Sequence, residues 1–178
     1  MKTIKDVKEM AIELMNTKFT FITHYSTHTI SANDLGYYFE FGNKKKAFGT
    51  CYYVKKKIQL SLPLCSANLD KIENIRNTML HEIAHALCVY VHGTKHGRGH
   101  GAYWKSIAKQ IGCNGERCFS SANVSMPKSK YSVICDSCGY SAPKYRKVTK
   151  TYACANCCNN HNNGKFSYDY KLRLVVNY

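Results

Sequence analysis

Histidines 81 and 85 flank Glu82 in the run His81-Glu82-Ile83-Ala84-His85. On a helix, residues four apart stand on one face, so the two imidazoles can share one zinc ion. Glu82 is turned about 100° from His81, beside such a metal rather than pointing at it. There it can take a proton from a water that the metal has made acidic. The run falls within helical apolar spacing, with Ile72, Ile75, Met79, Leu80, Ile83, Ala84, Leu87 and Val91 on its inner side. Both imidazoles and the carboxyl are therefore expected to be semi-buried, which is costly without a metal. The plainer reading is a surface histidine pair or a histidine switch.

A catalytic zinc takes three protein ligands and keeps one position open. A metzincin pattern needs Gly at 88 and His at 91; Cys88 and Val91 stand there and exclude it. Glu116 lies in a loop-like stretch and fits poorly as a downstream carboxylate ligand. His92 is about 10 Å along the helix axis from His85, too far for the same ion. His96 and His100 lie in a Gly- and His-rich loop, 93–101, that can turn back. Spacing leaves both open.

Cysteine supplies a second constellation. Cys135-x2-Cys138 and Cys154-x2-Cys157 are separated by fifteen residues, the spacing of a closed tetrahedral zinc site. With no ligand position free, that site is structural. It helps a tail of about 50 residues hold a fold that its own small core could not. Cys158 follows the second pair and offers an alternative sulfur to Cys157. Cys51, Cys65, Cys88, Cys113 and Cys118 are scattered and read as small buried hydrophobes. Between the pairs, Lys144, Tyr145, Arg146, Lys147, Lys150 and Tyr152 interleave cations with aromatic rings. Such a strip can contact phosphates and stack bases; the opposing reading is a solvated hairpin.

These residues need elements to carry them. Residues 5–19 have helical spacing at Val7, Met10, Ala11, Leu14 and Met15. Segments 37–41, 48–54 and 58–62 are rich in aromatic and β-branched residues. The lysine-bearing turns between them predict an antiparallel meander. Asn68 or Asp70 is the expected cap of a long helix running to Tyr90 or His92, with Gly93 as its stop. A short helix follows over 103–111, then a polar linker over 120–130, and a strand over 168–176 closes the tail. The expected fold class is α+β: an N-terminal helix, a small antiparallel sheet and the histidine helix in 1–125, then a four-cysteine zinc ribbon in 126–178.

Composition narrows the function further. Twenty-six Lys and Arg against eleven Asp and Glu give a formal charge of +15. Residues 126–178 hold nine of the cations and two of the carboxylates. That surplus favours a polyanionic partner, most simply nucleic acid; the rival source is a lysine-rich composition from an AT-rich genome. A hydrophobic fraction of 44% excludes wholesale disorder. No apolar run of about 18 residues exists, so no transmembrane helix and no membrane partner is expected. Asp6, Glu9 and Glu13 occupy the place of a signal peptide's apolar core. An intracellular protein of the cytoplasm or nucleus, not a secreted one, is therefore expected, with its cysteines as thiols or metal ligands.

Taken in order, HEIAHAL at 81–87 and GRGHGAYWKSIAKQIG at 97–112 resemble the SprT-like zinc metalloproteases, which include Spartan and bacterial SprT. Phe48-Gly49-Thr50-Cys51 and Ile58-Gln59-Leu60-Ser61 are similar to the strands that precede that family's metal helix, and the four-cysteine ribbon also fits. The resemblance spans roughly residues 5–160. It implies a zincin-like protease domain with His81, His85 and His100 as zinc ligands and Glu82 as the catalytic base. His96 is then at most a neighbour of the site. It also implies protein substrates bound or crosslinked to DNA, with single-stranded or damaged DNA as a partner. The competing class is a non-enzymatic nucleic-acid-binding zinc protein, which would have no use for a base at position 82.

Overall fold

Thr3 and Asp6 open the first helix reciprocally. The Thr3 N–H donates to Asp6 Oδ2 at 2.6 Å and the Asp6 N–H to Thr3 Oγ1 at 3.3 Å, a capping box. Helix α1 (Ile4–Asn16) then buries Val7, Ala11, Leu14 and Met15. The computed structural model describes residues 2–116 and 124–178. It divides the chain into two compact units, Met1–Pro127 and Lys128–Tyr178. Cys118 and the first residues of the 120–130 linker lie outside the described residues. Among those described, no helix is long and apolar enough to cross a membrane.

In the first unit, strands β1 (Phe19–Ile22) and β2 (Thr27–Ile30) form an antiparallel hairpin that the sequence reading left unassigned. Its turn is closed by Thr23 and Ser26, without the Gly or Pro that marks most hairpins. Strands β3 (Tyr38–Gly42), β4 (Gly49–Tyr52) and β5 (Lys57–Ser61) follow. They do not form the expected meander. The sheet order is β3-β5-β4, with β4 antiparallel and β3 parallel to the central β5. Two interactions favour that arrangement. Ile58 and Leu60 of β5 are fully buried and gain neighbours on both edges. Parallel pairing also sets Glu40 beside Gln59, where its Oε1 accepts from Lys57 Nζ at 2.7 Å and Gln59 Nε2 at 2.8 Å. Lys57, read as a turn residue, thus begins a strand.

A short helix α2 (Leu62–Ser66) and a 3-10 turn (Leu69–Lys71) lead into the long helix α3 (Ile72–Gly97). Neither expected residue caps it. Asn68 is buried and acts as a bracket instead: its Nδ2 donates to Leu64 O and Ser125 O, and its Oδ1 accepts the Ser125 N–H. Gly93, at φ 73° and ψ 173°, breaks the helix internally, as expected of a stop; the chain then makes one more helical turn to Gly97. Helix α4 (Ala102–Gln110) packs on α3. α3 also meets α1 and β4, and supplies Ile75, Met79, Leu80, Ile83, Ala84, Leu87 and Cys88 to the core. Cys51, Cys65, Cys88 and Cys113 are all buried there.

The second unit is a three-stranded antiparallel sheet in the order β7-β6-β8, from β6 (Tyr131–Cys135), β7 (Ser141–Lys144) and β8 (Leu172–Val176). A helix absent from the sequence reading, α5 (Ala155–His161), begins directly after Cys154. The expected strand over 168–176 is shorter. Residues Tyr168–Tyr170 form a 3-10 turn, which Ser167 caps by accepting the Asp169 N–H.

Leu60 is fully buried in the central strand under α3, and its truncation leaves a void that this rigid corner cannot close. Leu60→Ala should lower unfolding stability by about 2–5 kcal/mol in urea melts.

Candidate metal centre

His81 and His85 lie one turn apart on α3, and the loop after α3 brings His100 across to them. The three imidazoles meet through Nε2. His100 Nε2 is 3.2 Å from that of His85 and 3.0 Å from that of His81. Their other nitrogens are engaged. His85 Nδ1 lies 2.7 Å from Gly97 O, and His81 donates to the backbone carbonyl of Glu116. A carbonyl only accepts, so in both rings the proton sits on Nδ1 and the Nε2 lone pair points inward. Burial, first among the causes, holds His81 and His85 down at about 4, so both rings are neutral. Converging lone pairs repel unless a cation lies between them. A tetrahedral zinc with bonds of about 2.0–2.1 Å would set its ligand nitrogens about 3.3 Å apart. The observed spacing fits such an ion.

The returning loop is built for that contact. Gly97 lies so close to Val89 that a Cβ there would overlap both the side chain and the backbone of Val89. With hydrogen alone at this position, the turn after Gly93 can press its carbonyl onto His85. One helical turn past His100, the Trp104 indole lies fully buried beneath the triad. Its centroid is 4.6 Å from His81, 5.2 Å from His85 and 4.6 Å from His100.

Glu82 is buried on the neighbouring face of α3. Burial pushes its carboxyl up to about 8, opposed by a backbone hydrogen bond from Cys51 and by the Lys44 charge. Strand β4 passes directly over it. A Cβ on Gly49 would stand 2.7 Å from both Glu82 Cγ and Oε1, so this position admits no side chain without moving the carboxylate.

The other candidates near the helix lie outside the triad. His96 stays outside the triad, edge-on to Tyr103 at 5.2 Å. His92 stacks on the same ring at 4.2 Å. Glu116 enters through its backbone. Tyr90 and Tyr103 face other rings. The tyrosine that meets a ligand is Tyr53, edge-on to His85 at 6.5 Å with the Arg98 guanidinium 5.6 Å from its ring centre. No local pattern in the sequence marks Tyr53, because its approach depends on how β4 crosses α3.

In the second unit, Cys135, Cys138, Cys154 and Cys157 bring their sulfurs together. Cys135 and Cys157 are 3.7 Å apart, and Cys138 and Cys154 are 3.6 Å apart. Zinc–sulfur bonds of about 2.3 Å imply edges near 3.8 Å, so this set also fits zinc. Backbone N–H groups of Cys138 and Ser137 hold the Cys135 thiol below its usual range, while burial and the adjoining thiols push Cys157 up. Cys158 is buried one residue on and does not join the cluster. Of the aromatic and basic strip, Lys150 and Tyr152 line a cavity of about 600 Å³ that also holds Asp136, Asp169 and Arg173. Lys144 ends β7, and Tyr145, Arg146 and Lys147 follow it in the loop.

An α+β unit built on a histidine-bearing helix with a returning third histidine, in a chain that also carries a four-cysteine cluster, is consistent with zinc binding at both groups. The SprT-like family matches residues 16–127, and the chain belongs to that family, one generally of zinc metalloproteases. The four-cysteine unit lies beyond the match. No curated protein and no solved structure matches the chain.

His100→Ala should abolish cobalt(II) quenching of the protein's single tryptophan, Trp104, whereas His96→Ala should leave it intact; the titration is read by fluorescence. Tyr170 and Leu172 pack beside the cysteines, and Val133 and Cys158 are the other buried hydrophobics of the second unit, a small core. Cys135→Ser should therefore lose one zinc by elemental analysis and expose residues 128–178 to proteolysis, with cobalt quenching at Trp104 retained.

Proposed function

We propose that the protein is a zinc-dependent endopeptidase working inside the cell on proteins bound or crosslinked to DNA. In this reading residues 1–125 form a zincin-like protease domain and 126–178 a zinc ribbon. The observation that carries it is the convergence of three imidazole Nε2 atoms within 3.0–3.2 Å steps on a helix that also buries Glu82.

Zinc bound there would supply the Lewis-acid charge that polarises a scissile carbonyl and acidifies a water. His81, His85 and His100 would hold the ion, with the Nδ1 protons of His85 and His81 fixed by the Gly97 and Glu116 carbonyls. The charge of the ion would favour the ionised form of Glu82, which would then take a proton from the attacking water and return it to the leaving amine. The Cys51 N–H and the bare Cα of Gly49 hold that carboxylate in place. The DNA part rests on charge. The second unit carries nine cations against two carboxylates, and Lys144, Arg146, Lys147 and Lys150 adjoin Tyr145 and Tyr152. A protease that grips the same strand as its substrate raises the local concentration of that substrate.

Glu82→Gln should keep both zincs and lower cleavage of a DNA-crosslinked protein by about 10²- to 10⁴-fold. Equal cleavage by both proteins would leave a nucleic-acid-binding module with an incidental histidine site. Lys147→Glu with Lys150→Glu should reduce the salt slope of DNA binding by about one to two phosphate contacts. Cleavage of the DNA-bound substrate should fall with it, while hydrolysis of a small free peptide stays unchanged.

A further inference from the structure

The chain that follows α4 returns to the triad and leaves an opening beside it. This cavity of about 410 Å³ is lined by His100, Lys105, Lys109, Asn114, Gly115 and Glu116. Lys105 and Lys109 stand one turn apart on α4 and share a face. Both are exposed, and their stems lie over the backbone of Gly115. A Cβ there would come within 3.3 Å of Lys109 Cγ and 3.6 Å of Lys105 Cγ. Gly115 also sits at φ 72°, a left-handed turn that favours glycine. Among the described residues neither ammonium group makes an ion pair. Glu116 is the one carboxylate in the lining, so the opening carries two cations against one anion.

The far wall of the opening is fixed to the helix that carries His81. Asn77, one turn before His81, exchanges two hydrogen bonds with Asn114. The Asn114 N–H donates to Asn77 Oδ1 at 2.8 Å, and Asn77 Nδ2 donates to Asn114 Oδ1 at 3.1 Å. The Glu116 N–H donates to the same Asn114 oxygen at 3.0 Å, and the Glu116 carbonyl accepts from His81. A backbone N–H only donates, so that end of the Asn114 amide is its oxygen. The other end, the NH2 group, has no partner among the described residues. Two ammonium groups and one amide NH2 are thus left as donors, in a frame tied to the metal ligands.

We propose that this opening is a substrate subsite for the side-chain carboxylate of an aspartate or glutamate near the bond that is cut, an inference that rests on the peptidase reading above. An ionised carboxylate only accepts hydrogen bonds, and so matches a lining of unpaired donors. His100 sets the position. Its ring lines the opening and also meets the other two imidazoles, so a peptide lying across the triad passes the mouth of the cavity. An extended chain advances about 3.3 Å per residue, which puts the recognised side chain within a few residues of the scissile bond. Selection works by charge in both directions. An acidic side chain meets two opposite charges and one like charge, and a basic one meets the reverse.

The test uses the full zinc-loaded chain carrying Glu82→Gln, which holds a peptide without turning it over. Labelled peptides blocked at both ends carry Glu, Gln or Lys at one position, scanned along the peptide, so a chain terminus is no source of carboxylate. Binding is read by fluorescence anisotropy. At one position the Glu peptide should bind about three- to tenfold tighter than the Gln peptide, as two partly exposed ion pairs would give, and less so at high salt. Lys105→Gln with Lys109→Gln should bring that ratio to about one. Each single change, at an exposed position of α4, should lower it part of the way, and serves should the double variant fail to fold. Lys109→Glu should turn the preference toward the Lys peptide. Lysines that merely support the fold would instead weaken all three peptides alike. With Glu82 restored, kcat/KM should follow the same order of peptides. No binding, equal affinity for the three peptides at every position, or a Glu preference that survives loss of both lysines would overturn the subsite. A lysine-dependent Glu preference without any cleavage by the Glu82 protein would leave the carboxylate site standing and overturn the peptidase reading.

Discussion

Three imidazole nitrogens converging on one point inside a protein, with the lone pairs of His81 and His85 turned inward, are an arrangement that a cation at that point would stabilise. Much of the first unit follows from holding them there. His81 and His85 come from successive turns of α3, so their spacing is a property of the helix. His100 must come from elsewhere, and the chain has only a few residues in which to reverse. The break at Gly93 turns it, the bare Cα of Gly97 lets it lie against Val89, and the carbonyl of Gly97 locks the His85 ring as it passes. Trp104 then fills the volume beneath all three rings. Each step is a packing consequence of the one before, which is why the loop cannot simply be lengthened or shortened.

The second unit solves the same problem with sulfur. Its buried side chains are Val133, Cys135, Cys154, Cys157 and Cys158, with Tyr170 and Leu172 packed on the cysteines, so little apolar surface holds the strands together apart from the cluster. The thiols there are pushed in opposite directions, one toward the thiolate and one away from it. That is how like groups behave when they cannot all carry charge at close range without a cation. In the first unit the core is large and a metal is not needed to hold it; in the second the core is small and a metal would stand in for a core.

What the sequence made legible follows a physical division. Helical periodicity marks α1, α3 and α4 within a few residues of their ends, because one face of each is apolar and 3.6 residues recur along it. Strand partners are not encoded that way. The alternation in 37–62 is the same whether β3 pairs with β4 or with β5, and the choice rests on the Glu40 ladder and on burial of Ile58 and Leu60 from two sides. The β1–β2 hairpin was hidden because its turn uses Thr and Ser where Gly or Pro would have signalled. Asn68 has the chemistry of a helix cap, but its side chain is occupied by Ser125, far along the chain. At the histidine site the ligand pair is local, whereas Tyr53 and the floor formed by Trp104 exist only once β4 and α4 are packed. Tyr103 sits next to Trp104 in sequence, yet the 100° step of the helix sends it to the opposite environment.

Ten cysteines in a chain with candidate zinc sites pose a problem of loading, since any thiolate competes for a soft ion. The buried thiols outside the ribbon are removed from that competition by their surroundings. Cys51 and Cys65 are pushed up to about 12 and Cys88 to about 11, each chiefly by burial, and Cys113 is raised for the same reason. They stay protonated, and a protonated thiol is a poor ligand and a sluggish target for oxidants. In the second unit, by contrast, backbone N–H groups hold the Cys135 thiol below its usual range. Folding itself, by burying Cys51, Cys65, Cys88 and Cys113, therefore narrows the competition for a metal to the cysteines of the second unit.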